Sequence, residues 1–434
     1  MDVNDLAFKF NLDSIYKLEK LSANILPNQS KYPLTYKALK SAVSQYFDSC
    51  PHFSNAFFPV FESSFVEQKK LKKFVLDTIS FNFFSSIILF VFKIILLIIF
   101  KSNLLKIRYP NCEIAPNKYR SSDLYFEINL LALKIKYKIR PQNRIHAFFR
   151  GLVTSSLSPL SVLLFYFLSI LPRININHIQ YLKKTNPLFL RLIETSLEYD
   201  LKITKSFLSS LEIKSFTHSG WFSVKGSILF KALKALNINT KVYAHGHLSQ
   251  PSLAFYYPVE SSTFVVFTEE EALRLKKLSS FFNQPLKNIE YILPDLIIDK
   301  EKIRNSLKNS STILLGFSSP DFLANELIVK KYNYLVKSLL KLKLKVFCRP
   351  HHQASEKERI ILSINGQIPI YKDDIKLLDR EKTLIIGSSS TLLIDAAIAG
   401  IMSFEISDFS VNCSWLIKSL PCYTIEKFLT KLEK

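Results

Sequence analysis

A chain of 434 residues is long for one compact domain, so two domains are the natural division. With 48% hydrophobic and 13% aromatic residues it can bury a large core, which excludes wholesale disorder. The formal net charge of +22 predicts an anionic partner (an acidic membrane surface, a phosphorylated substrate or nucleic acid), although genome-wide lysine enrichment gives the same figure. No RNP-like motif, zinc finger or aromatic-basic array supports nucleic acid, so no nucleic-acid partner is expected. Cys50, Cys112, Cys348, Cys413 and Cys422 are scattered, with no C-x-x-C or Cys/His zinc spacing, which predicts a reducing compartment and no structural metal.

Residues 1–75 read as mixed helices and loops broken at Pro27, Pro33, Pro51 and Pro59, and the opening MDVNDLAFKFNLD is not a secretory signal. Residues 81–100, FNFFSSIILFVFKIILLIIF, carry one charge, Lys93, and have the length of a membrane-spanning helix. A second apolar run, 151–171, has no charge but contains Pro159 and several serines. Were both to cross a bilayer, the loop between them would carry eleven basic residues from 101 to 150 against Glu113, Asp123 and Glu127, which violates the positive-inside rule. Three readings of 81–100 stay open: a helix lying in the membrane interface beside a basic segment, a helix buried in protein, or a single span. Within the basic segment, Ile135, Tyr137 and Ile139 alternate with Lys134, Lys136, Lys138 and Arg140, which predicts an amphipathic strand with one basic face.

From residue 213 the pattern becomes regular. Strands are predicted at 214–217 before His218, at 241–244 before His245-Gly246-His247, at 263–267 before Thr268, and at 289–293, with helices between them. Thr268-Glu269-Glu270-Glu271 matches a capping box, so those carboxylates read as a helix start rather than as catalytic groups. A second series follows. Strands at 312–315, 345–348, 384–386 and 403–406 alternate with a helix at 332–342 and one that starts after Gly387 and stops at Gly400. Two α/β series in tandem predict two Rossmann-like domains facing across a cleft: residues 1–295, including the apolar segments 81–100 and 151–171, and residues 296–434, the nucleotide-sized one.

Neither G-x-G-x-x-G nor a Walker loop occurs. What the second series offers is anion-binding loops at strand ends. Ser388, Ser389, Ser390 and Thr391 present hydroxyls and backbone N–H groups at a helix start, and Arg349 with His351 or His352 adds charge-assisted donors. Gly387, Gly316 and Ser318 belong to the same donor-binding set. If the Arg349 and Gly387 strands are neighbours, their loops form one site. Simple N-capping by the serines is the plainer alternative.

RPHH followed by GSSSTLLIDAAIAG resembles the His-Pro and Ser-Ser motifs of bacterial GT-B transferases of surface polysaccharides: sialyltransferases and polysialyltransferases, capsule transferases, and CDP-glycerol glycerophosphotransferases. KVYAHGHLSQ with FVVFTEEEALRLKKL is similar to the first-domain pattern of capsule-type members. The resemblance implies the GT-B fold, with an N-terminal acceptor-side domain and a C-terminal domain for a nucleotide-sugar donor, of which a cytidine nucleotide is the expected kind. It implies that His351, Ser389 and Ser390 hold the donor phosphate and that Asp395 meets the ribose or base or orients the loop. Here His352 stands where the family has proline, and Pro350 precedes His351. For inverting transfer a base must take the acceptor proton, and His245 and His218, at strand ends of the first domain, are the candidates. No D-x-D motif occurs, which fits metal-independent transfer. The implied activity is glycosyl transfer without a cofactor to a glycan or lipid-linked acceptor. The implied location is the cytoplasmic side of the inner membrane, on an anionic surface and peripheral or monotopic unless 81–100 spans it. Glycerophosphotransfer and a catalytically inactive membrane assembly partner are the alternatives.

Overall fold

The computed structural model describes residues 26–48, 83–109, 111–114, 124–130, 133–139, 144–154, 157–170, 186–219, 224–244, 261–281, 288–292, 300–317, 326–350, 354, 356–388, 390–409 and 420–433. The chain opens with helices α1 (Pro33–Asp48) and α2 (Phe83–Lys101). Strands β1 (Leu105–Arg108), β2 (Asn111–Ile114), β3 (Leu124–Leu130) and β4 (Leu133–Ile139) follow, then helices α3 (Arg144–Thr154), α4 (Pro159–Ile170) and α5 (Pro187–Ser210).

Strands β1, β3 and β4 form an antiparallel sheet in that order. Its pleat separates the two residue classes as predicted: Leu133, Ile135 and Tyr137 align with Leu130, Ile128 and Phe126, while Lys134, Lys136 and Lys138 fall on the other face. Phe126 is buried, stacks on its cross-strand partner Tyr137 at 5.2 Å and meets Phe149 of α3 at 4.8 Å, the contact that joins this sheet to the core.

The predicted α/β series then appears as β5 (Ser215–Ser219), α6 (Val224–Ala235), β6 (Asn239–Tyr243), β7 (Thr263–Val266), α7 (Glu269–Phe281) and β8 (Asn288–Tyr291). With β2 these strands make a wholly parallel sheet in the order β2-β5-β6-β7-β8. The capping box forms as read: Thr268 Oγ1 accepts from the Glu271 amide at 3.3 Å, and Glu271 Oε2 accepts from the amides of Phe267 and Thr268 at 2.8 and 2.9 Å.

The second series comprises α8 (Lys300–Asn309), β9 (Thr312–Phe317), α9 (Glu326–Lys341), β10 (Lys345–Cys348), α10 (Glu356–Leu362), β11 (Thr383–Ser388), α11 (Thr391–Ile398), β12 (Met402–Ile406), β13 (Cys422–Tyr423) and α12 (Ile425–Leu432). Its parallel sheet runs β10-β9-β11-β12-β13. Both faces are covered. Ile313, Leu315, Leu384, Ile386, Phe404 and Ile406 pack with α9 and α12, while the intervening Leu314 and Ile385 pack with Leu393 and Ile394 of α11. Burial on two faces is why these strands read as unbroken apolar runs. The chain is thus a mixed α/β protein of two Rossmann-like units. The expected domain boundary at 295/296 falls among residues 293–299, outside the described ones.

Helices α1 to α5 form a layer held by buried polar groups. Glu194 of α5 accepts from the amides of Leu34 and Thr35, each at 2.8 Å, and from Thr35 Oγ1 at 2.7 Å, so a carboxylate on one helix caps the first turn of another. Lys93, the one charge in the apolar run, points inward and is fully buried, with its ammonium 5.3 Å from the Phe207 ring centre. Asp200, also fully buried, accepts from the Ser158 amide at 2.8 Å. Burial lowers the Lys93 ammonium to about 7, helped by Lys225 and opposed by Asp200. Burial likewise raises the Asp200 carboxyl to about 6, against the pull of hydrogen bonds from Ser161 and Ser158 and of the Lys93 charge.

Because the Asp200 pKa is raised on folding, its contribution to stability is present below the unfolded value and is lost as pH rises through about 6. Lys93→Met removes the neighbouring cation and deepens that loss. Because burial also holds Lys93 down at about 7, its charge costs stability below that pH and Lys93→Met removes the cost. We therefore expect the variant to be more stable than the parent near pH 5 and to lose roughly 1–2 kcal/mol of that advantage by pH 7, with Lys93→Met/Asp200→Asn keeping it at both. Urea melts at the two pH values test this.

Candidate functional site

The order of the second sheet decides where a ligand sits. In sequence terms it is 2-1-3-4-5, so the chain reverses direction between β9 and β11, and ligands of such sheets bind at the carboxyl ends of the strands flanking that reversal. The first sheet advances one strand at a time and has no such point among the described residues. Gly316 and Gly387 are paired in register across the reversal, followed by Phe317 opposite Ser388.

The two glycines make the local geometry. A Cβ on Gly387 would stand 2.2 Å from the Gly316 carbonyl oxygen, and one on Gly316 would stand 2.3 Å from Leu392 Cδ2 on α11. Only bare backbone lets α11 approach the sheet this closely. Its first turn is capped by Ser390, whose Oγ accepts from the Leu392 amide at 3.3 Å, and its end is turned by Gly400 at φ +79°. Ser388 is buried, and among the described residues its Oγ has no hydrogen-bond partner. An unsatisfied buried hydroxyl beside a helix start is a group waiting for an acceptor or donor.

Arg349 leaves the end of β10, and here the expectation of adjacent strands is corrected: β9 lies between β10 and β11, so the Arg349 and Gly387 loops are two strand spacings apart, about 10 Å. The reason is that β9 supplies the sheet centre, pairing with both neighbours. The Arg349 amide donates to Leu315 O at 2.8 Å, and its guanidinium donates to Asp373 O at 2.6 Å beside the Tyr371 ring. Tyr371 donates its hydroxyl to Asp374 O at 3.0 Å, and its phenol is pushed up by burial, with Asp373 adding to the shift. Arginine has five N–H donors, so this anchor leaves others for an anion.

Thr391 is the first residue of α11, and Asp395 lies half-buried one turn in. His218 sits at the end of β5 with its ring parallel to Phe216 at 6.0 Å and on edge to Phe230 at 6.5 Å, an aromatic setting typical of a packed histidine. His245, Ser318, His351, His352 and Ser389 lie outside the described residues.

Two residues escaped the sequence reading. Glu405, fully buried, pairs in register with Gly387 on the other side of β11, so a carboxylate stands in the row of strand ends that holds Gly316 and Gly387. An acid inside the apolar run SFEI was the available signal. Tyr371, which flanks Arg349, gave none, because its place depends on the parallel bridge between Cys348 and Ile370. Among the described residues no group of three or more His, Cys, Asp or Glu is placed to hold a metal ion.

No family model and no curated protein matches the chain. Among solved structures it is similar to an α,α-trehalose-phosphate synthase (UDP-forming) from Burkholderia vietnamiensis at 10% identity, over 69% of this chain and 79% of that one, with a TM-score of 0.35. A likeness of that size decides neither fold nor activity, and the two parallel sheets rest on the strand pairings themselves.

The glycine pair gives a graded expectation. Gly387→Ala meets rigid backbone and should cost about 3 kcal/mol or more, whereas Gly316→Ala meets the mobile end of Leu392 and should cost about 1 kcal/mol. Ser388→Ala removes a buried hydroxyl with no partner among the described residues and should leave stability unchanged or raise it by about 1 kcal/mol. Urea titrations of the three variants rank them.

Proposed function

We propose that the protein is a GT-B glycosyltransferase that takes a nucleotide-sugar donor in its second domain and a glycan or lipid-linked acceptor in its first, at the cytoplasmic side of the inner membrane. The observation that carries this reading is the paired Gly316 and Gly387 at the reversal of the second sheet, with the unpaired Ser388 hydroxyl and the start of α11 beside them. Surface polysaccharide is the product class and a cytidine nucleotide the donor type that the motif resemblance suggests.

In an inverting transfer the acceptor oxygen attacks the anomeric carbon as the bond to the donor phosphate breaks. The phosphate keeps the electron pair, and a base takes the acceptor proton. Ser388, Ser389 and the first turn of α11 are suited to hold that phosphate, and Arg349 with His351 or His352 to neutralise the charge it gains. We assign the base to His245, since the ring of His218 is flanked by Phe216 and Phe230. Asp395, half-buried one turn into α11, is suited to meet the ribose or base of the donor or to orient the loop, and Glu405, fully buried, only to support the strand ends from within.

Thermal-shift measurements with CMP, CDP, UDP and GDP test the reading. Stabilisation by CMP and CDP alone supports the cytidine donor, and stabilisation by UDP alone reassigns the base. The absence of any response sinks the enzymatic reading in favour of an inactive assembly partner. Arg349→Ala should weaken nucleotide binding by about 1.5–3 kcal/mol, the range of a hydrogen bond to a charged group. His351→Ala, His352→Ala and Ser389→Ala should each weaken it, and unchanged affinity in all three removes the phosphate assignment. Glycerophosphotransfer shares this nucleotide site, and product analysis with a CDP-polyol donor separates it.

A further inference from the structure

Helix α2 has its polarity reversed relative to a surface helix of a soluble protein. Its lysine, Lys93, lies fully buried on the inner side with Leu97 and Phe100, while Ile88, Val91, Phe92, Ile95 and Ile98 face solvent. At 100° per residue the exposed five span an arc of about 120° and a length of about 15 Å, opposite the arc of Lys93. This apolar stripe does not end at the helix. Phe92 meets Phe148 of α3 edge-on at 5.5 Å, both rings exposed, and α4, packed against α2, exposes Leu163 and Phe167.

Among the described residues no single helix is long and apolar enough to cross a membrane; the segments 147–154 and 159–167 pass together but are bent by 73°. The burial of Lys93 argues the same way for α2, because a helix whose charged side is packed on protein offers lipid only its other side.

Helix α2 touches β1 of a sheet that carries a basic face, on which Lys136 stands 3.8 Å from Glu127. Lys101 ends α2, Leu104 lies exposed after it, and the sheet that follows exposes Lys106, Lys134, Lys136 and Lys138. Exposed hydrocarbon beside exposed lysines complements one surface in particular: a leaflet of anionic lipid, whose acyl region takes the former and whose headgroups take the latter. We propose that the exposed face of α2, α3 and α4 docks half-embedded in an anionic membrane leaflet, with the β4 lysines on the headgroups and no segment crossing. This deepens the membrane-side placement in the functional reading and does not depend on its donor.

Flotation of the purified full-length chain with vesicles tests it, using phosphatidylcholine alone and phosphatidylcholine mixed with phosphatidylglycerol, at low and high salt. The parent should float with the mixed vesicles and lose most of that binding in high salt. Ile95→Glu/Ile98→Glu should reduce binding to both vesicle types by more than tenfold. Lys134→Gln/Lys136→Gln/Lys138→Gln should reduce binding to the anionic vesicles alone, on the order of fivefold per lysine. All substituted side chains are exposed, so thermal melts should match the parent, and near-ultraviolet circular dichroism verifies that each variant is folded. Flotation unaffected by either set overturns the proposal. So does a parent that fails to float but runs as a dimer which Ile95→Glu/Ile98→Glu converts to a monomer, since the face then covers a second copy of the chain. A nucleotide panel on the same preparations keeps the outcomes apart: nucleotide binding without flotation sinks only the surface, and flotation without nucleotide binding sinks only the donor site.

Discussion

Gly316 and Gly387 stand side by side on β9 and β11 with so little room that neither backbone tolerates a Cβ without displacing something. That contact fixes the height of α11 above the second sheet, and with it the place of Ser390, which caps the helix. The rest of the second domain supports the same place. The two core faces, one with α9 and α12 and one with α11, hold β9 and β11 at the centre of the sheet, and Arg349 is anchored by its own amide to β9 and by its guanidinium to the chain at Asp373. A helix start held in place this way would need little reorganisation to accept the anion proposed for it.

The N-terminal half is organised by a different constraint. Its helical layer buries Lys93 and Asp200 together with Thr204 and Ser86, and Asp200 Oδ2, Thr204 Oγ1 and Ser86 Oγ have no hydrogen-bond partners among the described residues. A buried polar group left unsatisfied is expensive, and an apolar substitute is often more stable. The layer therefore sacrifices stability to keep a charge inside α2, and the effect of that choice is an outer surface of pure hydrocarbon.

What the sequence made legible was whatever depends on near neighbours in the chain. Eight of the ten parallel strands, all but β2 and β13, the capping box at Thr268 and Glu271, the end of α11 at Gly400 and the period-two strand at Ile135 to Ile139 follow from local spacing and formed as expected. Strand order did not follow, because periodicity identifies a strand but not its partners; the neighbourly reading of the Arg349 and Gly387 loops failed for that reason. Gly387 was legible as a donor-loop residue at a strand end, yet what requires a glycine there, the Gly316 carbonyl, lies 71 positions earlier in the chain. β2, with the short sequence Asn-Cys-Glu-Ile, gave no signal because it borrows its strand character from pairing with β5. The inward turn of Lys93 was equally hidden, since its surroundings come from α5 and α6.

The carboxylate of Glu194 that caps α1 lies 160 residues downstream of the amide it serves. A helix start without its cap is weak, and the group that completes this one comes from a distant helix. On the ribosome, α1 therefore emerges as an unfinished element and stays so until α5 has been made. That contact can form only after 160 further residues have been added to the chain.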